Sequence, residues 1–207
     1  MFPVVLNLKD QLCLVVGSGP VGRRKATCLL AAGAQVRLIS RESPVLLDGP
    51  MQPEWLRADY HAEHLRGVRL VFAAATPAVN QHVREDAHAR GLWVNIADDP
   101  EGSDFHLPAV VRRGSLVIGV STGGASPGLA RVIRERLEQD FDEAFGHWVN
   151  FLGELRPMIL ARAPQAEAIA ILARLTDWHW LERLRAEDPH TIRQAMLSEV
   201  ESLLRRT

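Results

Sequence analysis

Three stretches hold the residues whose type and spacing could do chemistry. The first is GSGPVG, which sets Gly17, Gly19 and Gly22 in the pattern GxGxxG, directly after the apolar run LCLVV and at the start of a helical stretch. In that context the first glycine permits a tight turn, the second lets the backbone approach a pyrophosphate, and the third lets helix and strand pack closely. Pro20 and Val21 open the helix, whose free N–H groups and dipole would favour a phosphate. The loop therefore predicts a dinucleotide, without saying which reaction. The choice of dinucleotide stays open. An acidic residue about 20 positions on would bind the ribose hydroxyls, but the second strand closes on Ser40 and Arg41, with Glu42 a step late for that contact. Arg41 could instead accept the 2′-phosphate of NADP.

The second stretch is DDPEGSD. Its first residue, Asp98, stands at the carboxyl end of a predicted strand, the edge at which open α/β sheets bind ligands. A carboxylate there could accept a proton while hydride leaves a substrate. By composition the same residues read as a turn, and on the residues alone the turn is the stronger reading. Asp99 and Asp104 read as turn and solvent positions.

The third stretch is STGGASP. Ser126 is placed to cap a helix that has Pro127 at its first position. That helix end, with Ser121, Thr122, Gly124 and Ser126 and with Arg131 a turn later, could also hold a substrate carboxylate. The two readings carry equal weight. Arg23, Arg24 and Lys25 read as a solvated helix face. His61 and His64 are the one close histidine pair and, lacking a third ligand nearby, read as surface residues, so no metal is expected. His106, His147 and His179 are isolated.

The elements that would position these groups follow from the hydrophobic pattern. LCLVV is a strand buried on both faces, and the helix after it turns Ala26, Leu29 and Leu30 inward before stopping at Gly33. QVRLIS is a second strand, with Val36, Leu38 and Ser40 on one face. After a loop marked by Pro44, Gly49, Pro50 and Pro53, a short strand is expected over 56–60 and further strands over 69–75 and 92–97. Between the last two, Thr76 caps a helix with Pro77 first and Val79, Val83 and Ala87 inward. Strand–helix–strand units predict a Rossmann-like, doubly wound parallel sheet. Beyond Asp98 the pattern changes. Runs at 107–111 and 116–120 joined by Arg113-Gly114 suggest a hairpin, Ser126-Pro127 starts a long helix with Leu129, Ile133 and Leu137 on one side, and the rest reads as helix. A last helix is capped at Asp188-Pro189.

Composition narrows the function classes. A net charge of −1 provides no general field for a polyanion such as DNA. Between Trp148 and Thr207, eight arginines face eight acidic residues, so the helical part is no DNA-binding module either. Cys13 and Cys28 lie in apolar segments without ligand spacing and read as small buried hydrophobes. MFPVVLNLKDQ lacks the pattern of a signal peptide, and no apolar run approaches the ~18 residues of a membrane span. The cytoplasm is the expected location.

With these residues in view, the chain resembles the precorrin-2 dehydrogenase, or siroheme synthase N-terminal, family. The resemblance rests on Pro3, Leu6 and Leu8 with LVVGSGPVGRRKA through Gly33-Ala34, on AAAT with Asn80, on VNIADDP around Asn95 and Asp98, and on FHLPAVVRRGSLVIGVSTGGASPGLAR. It covers residues 1 to about 140 and implies NAD-dependent oxidation of precorrin-2 to sirohydrochlorin, with Asp98 as the catalytic residue. It also implies a homodimer built through the region after the nucleotide domain. The expected organisation is an NAD-binding domain over 1–111, a dimerisation region over 112–146 and a helical C-terminal domain over 147–207. The chain looks like the stand-alone form, without a methyltransferase domain. Gly22 stands where the family often has alanine, a difference expected to be harmless, and Arg41 where a smaller neutral residue is usual.

Two other functions compete. Some members of the family also insert ferrous iron, so a bifunctional dehydrogenase and ferrochelatase fits equally. A non-enzymatic NAD-sensing module is weaker, because the nucleotide fold starts near residue 12 and leaves no room before it for an effector domain.

Overall fold

Every residue of β1 (Leu12–Val16) is apolar, and successive strand side chains point to opposite faces, so β1 can sit only in a sheet covered on both sides. The computed structural model, which describes residues 1–205, has that arrangement. On one face Cys13 and Val15 pack with Ala26, Leu29 and Leu30 of α1 (Pro20–Ala31), whereas Cys28, expected to be buried, lies on the exposed side of that helix. On the other, Leu14 and Val16 pack with Val83 and Ala87 of α2 (Pro77–His88). Burying each of these larger side chains contributes at most about 1.5–3 kcal/mol.

β1 pairs in parallel with β2 (Gln35–Ser40) on one side and β4 (Leu70–Ala73) on the other. β3 (Glu54–Arg57) and β5 (Trp93–Ile96) extend the two sides, also in parallel, giving the order β3-β2-β1-β4-β5. The strand order reverses between β1 and β4. That gap is the topological switch point, at whose carboxyl edge sheets of this kind bind ligands.

Details of the strands and of the α2 start differ from the sequence expectation. β3 begins two residues earlier than the predicted 56–60 and ends at Arg57. Pairing with β2 fixes it: Arg37 bridges to Glu54 at 2.8 Å, and the Ala58 N–H closes on Ser40 O at 3.0 Å. The hydroxyl of Tyr60 donates instead to Asp86 of α2. Thr76 precedes α2 but its side chain makes no capping bond. Asn80, buried, reaches back and accepts from the Ala75 N–H at 2.9 Å. The predicted strands at 69–75 and 92–97 are each trimmed at both ends.

A second compact unit begins at Pro108. β6 (Ala109–Arg113), two residues later than the expected 107–111, and β7 (Leu116–Val120) form a separate antiparallel pair whose pairing runs to Arg113 and turns at Gly114 with φ +54°. α3 (Pro127–Asp140) packs on β6, while α4 (Glu143–Arg162), α5 (Gln165–Leu175), α6 (Trp178–Ala186) and α7 (Pro189–Leu204) enclose their own core. Within that core the Trp148 indole N–H donates to Leu175 O at 2.9 Å. α3 turns Ala130 inward but leaves Leu129 and Val132 more than half exposed. Among the described residues no helix is long and apolar enough to cross a membrane.

Candidate active site

The glycine loop links the ends of β1 and α1 at the switch point, and each glycine has its own reason. Gly17 has φ +101°, and a Cβ on it would lie 2.2 Å from Ala74 O, in the loop after β4. The two loops therefore meet at backbone contact. A Cβ on Gly22 would lie 2.0 Å from Gly17 O, so α1 rests directly on the turn. Glycine, which stands here where the family often has alanine, is what this close approach requires, because the facing atom is backbone and cannot rotate away. Around Gly19 nothing comes within 4 Å of a built Cβ, and no side chain caps the start of α1 at Pro20 and Val21. Tight turn, close packing and an open N-terminus together fit a pyrophosphate.

At the end of β2 the side chains divide. The Ser40 hydroxyl lies 2.7 Å from that of Ser18, which is buried. Arg41 turns away to pair with Asp59 and is highly exposed. Glu42 turns back to the glycine loop, where its Oε2 accepts from Ser18 Oγ at 2.7 Å and from Arg23 Nη2 at 3.1 Å. The Ser18 hydroxyl, followed by Arg23, holds its carboxyl below the usual carboxylate range.

Asp98 follows β5 at the same edge of the sheet. Its φ of +63° is left-handed, a conformation that aspartate tolerates but that still carries strain. Asp10 has a similar φ in the turn before β1, so the angle alone assigns no role. The Asp98 side chain is exposed and makes no hydrogen bond or ion pair among the described residues. The loop that carries it is pinned from within. Asp99 accepts from the Gly102 N–H at 2.9 Å, Ser103 Oγ from the Ile96 N–H at 2.8 Å, and Asp104 from the Val94 N–H at 2.8 Å. Asp104 also meets His88 at 3.0 Å, a tether beyond the solvent role expected of it.

Lys25 is the main departure from sequence reasoning. It stands on α1 but is not solvated: its Nζ donates to Asn95 Oδ1 at 2.5 Å and lies 5.2 Å from the Phe72 ring centroid. Asn95, buried in β5, passes the contact on from Nδ2 to Phe105 O at 2.8 Å. Burial lowers the lysine's proton affinity, Arg24 adds to this, and Asp98 is close enough to oppose it electrostatically. Arg23 is likewise engaged, whereas Arg24 is exposed.

The remaining candidates lie in the second unit. Ser126 caps α3 as expected, accepting from the Leu129 N–H at 3.2 Å. Thr122 Oγ1 accepts from the Ser126 N–H at 3.1 Å and donates to Ser126 O at 3.0 Å, and Ser121 Oγ accepts from Gly123 N–H at 3.2 Å. Gly124 has φ +89° and open space around it. Arg131 is mostly exposed and pairs with Glu135 at 3.4 Å. His61 and His64 bond to each other's backbone in a short 3₁₀ turn, and no group of three metal-ligating side chains occurs among the described residues.

Comparison with known proteins agrees with this geometry. A family model for NAD(P) binding matches residues 4–109, and one described as "Sirohaem biosynthesis protein central" matches 113–140. A siroheme synthase of Chromobacterium violaceum is 42% identical over 171 residues, covering 81% of this chain and 36% of that protein. One from Nitrosomonas eutropha is 37% identical over 164 residues, covering 76% and 34%. The chain thus spans about a third of the length of the curated relatives it matches. The solved structure of SirC, precorrin-2 dehydrogenase, matches with a TM-score of 0.74 at 26% identity, covering 98% of this chain and 100% of that one.

Proposed function

This chain belongs to the family of NAD(P)-binding proteins of siroheme biosynthesis, and we propose that it oxidises precorrin-2 to sirohydrochlorin with NAD⁺ as acceptor. The observation that most supports this reading is the open glycine cradle at the β1–β4 switch point, with the exposed Asp98 carboxylate on the same sheet edge.

A bound NAD⁺ would supply the hydride acceptor. The free backbone N–H groups of Gly19, Val21 and Gly22 and the dipole of α1 would hold its pyrophosphate, with Gly17, whose own N–H bonds to Ile39 O, and Pro20 shaping the turn. Ser40 would border its ribose, while Arg41 turns away to Asp59. Asp98 accepts the proton that leaves the tetrapyrrole as hydride departs, so two electrons and two protons leave the substrate, one proton going with the hydride. Asp98 suits this work because its carboxylate is exposed and hydrogen-bonded to nothing else. Precorrin-2 carries acetate and propionate arms. The α3 N-terminus, with Ser121, Thr122, Gly124, Ser126 and Arg131, holds one of them. Two copies associate through residues 112–146, where α3 leaves an apolar stripe uncovered. Residues 1–111 act as the NAD-binding domain and 147–207 as the helical domain.

The test is anaerobic incubation of the protein with precorrin-2 and NAD⁺, followed by absorbance. Matched appearance of NADH and sirohydrochlorin is expected, and an unchanged spectrum with folded protein would refute the reading. Adding Fe²⁺ afterwards reads out the bifunctional alternative.

A further inference from the structure

The chain leaves β2 with two candidate readers of the adenosine ribose, and the structure separates them. Arg41 is held by Asp59, in the loop just after β3. Glu42 closes a ring of hydrogen bonds with the glycine loop. Ser18 Oγ donates to Glu42 Oε2 at 2.7 Å, Ser40 Oγ lies 2.7 Å from Ser18 Oγ, and the Glu42 N–H donates to Ser40 Oγ at 3.1 Å. With Ser18 donating to the carboxylate, the Ser40 hydroxyl is left to donate to Ser18, and each hydroxyl hydrogen has one acceptor. The ring fixes the carboxylate at the loop, while its Oε1 has no partner among the described residues. Arg23 is drawn into the same arrangement. It donates from Nε to Ser18 O at 2.5 Å and from Nη2 to Glu42 at 3.1 Å.

We propose that Glu42 selects NAD⁺ over NADP⁺ and does so twice over, by accepting from the ribose hydroxyls and by masking Arg23, the cation that would otherwise receive a 2′-phosphate. This rests on the dinucleotide reading of the glycine loop. In such folds the adenosine ribose lies at the end of the second strand, next to the pyrophosphate turn. A carboxylate there can accept from vicinal hydroxyls. A phosphate carrying about −1.5 to −2 charge is repelled by it. Sequence spacing alone hid the role, because Glu42 lies past the strand end and only the Ser18 hydroxyl brings it back. The guanidinium nearest the loop is Arg23 of α1, so a phosphate-binding function passes from Arg41 to Arg23.

Isothermal titration of the full chain with NAD⁺ and with NADP⁺ tests this. The wild type should prefer NAD⁺ by about tenfold or more, a loss of one charge-assisted contact being worth at least that. Glu42→Ala should weaken NAD⁺ and strengthen NADP⁺, each by about tenfold. Adding Arg23→Ala to Glu42→Ala should abolish the gain in NADP⁺ affinity, and Arg41→Ala alone should leave the preference in place. Ser18→Ala, which frees the carboxylate without removing it, should give an intermediate ratio. An unchanged ratio in Glu42→Ala, or loss of preference in Arg41→Ala, would overturn the proposal alone. Failure of the wild type to bind either dinucleotide would overturn the dinucleotide reading, and the proposal with it.

Discussion

The ammonium of Lys25 donates to the side-chain oxygen of Asn95 at 2.5 Å, joining the helix behind the glycine loop to the strand that ends just before Asp98. Asn95 in turn holds Phe105 O, beyond the far end of the same loop. Cofactor helix and Asp98 loop are therefore braced through one half-buried lysine. Lys25→Met should lower turnover by about tenfold or more through misplacement of Asp98. NAD⁺ affinity should change much less. If Lys25 acts through Asp98, its effect should vanish in an Asp98→Asn background, and a double-mutant cycle reads that coupling directly. Additive losses would make Lys25 a packing residue only.

Gly22→Ala should destabilise the protein by about 1–3 kcal/mol, as overpacking does. The added carbon meets a backbone oxygen at 2.0 Å, so the turn itself must shift. Urea unfolding and NAD⁺ titration check it together, with both stability and affinity expected to fall.

Cys13 is fully buried, and burial pushes its thiol from 9.0 up to about 11. The folded thiol keeps its proton where the unfolded one has lost it. Its contribution to stability is thus fully present below pH 9.0 and is lost as pH rises through about 11. Tyr60, also pushed up by burial, acts in the same direction. Cys13→Val should reduce the alkaline loss of stability by about 1–3 kcal/mol relative to wild type. Urea titrations on both sides of that window measure it, and identical slopes for the two proteins would contradict it.

The uncovered stripe of α3 bears on assembly. Leu129 is 52% and Val132 56% exposed, as large apolar side chains seldom are when they share a helix face. Val132→Glu should shift a dimer to a monomer at micromolar concentration, with the unit's fold intact by circular dichroism. Sedimentation velocity decides it, and a wild type that is already monomeric removes the interface.

How much of this could be read from sequence depends on where each residue finds its partner. β1, the glycine turn and α1 were legible because a strand apolar at every position, three spaced glycines and a helical stripe are all local signals. The Ser126 cap was legible for the same reason. The register of β3 was not, since an edge strand takes its limits from β2 rather than from its own pattern. The Thr76 cap that the sequence suggests is not made, while Asn80, one turn into the helix, ties back to the Ala75 N–H before it. Lys25 looked solvated because its acceptor, Asn95, is supplied by a strand at the opposite end of the unit. Glu42 lies a step past the end of β2, so its place at the glycine loop shows only in its bond to Ser18, 24 residues away in the chain.

The central claim is tested most directly by Asp98→Asn in anaerobic turnover of precorrin-2 with NAD⁺. The amide preserves shape and hydrogen bonding but cannot accept the departing proton. Turnover should fall by about 10²- to 10⁴-fold, the usual worth of a positioned acid–base group. NAD⁺ affinity should be retained, because the glycine cradle is untouched. A folded, NAD⁺-binding variant that turns over precorrin-2 within a few-fold of wild type would contradict the account.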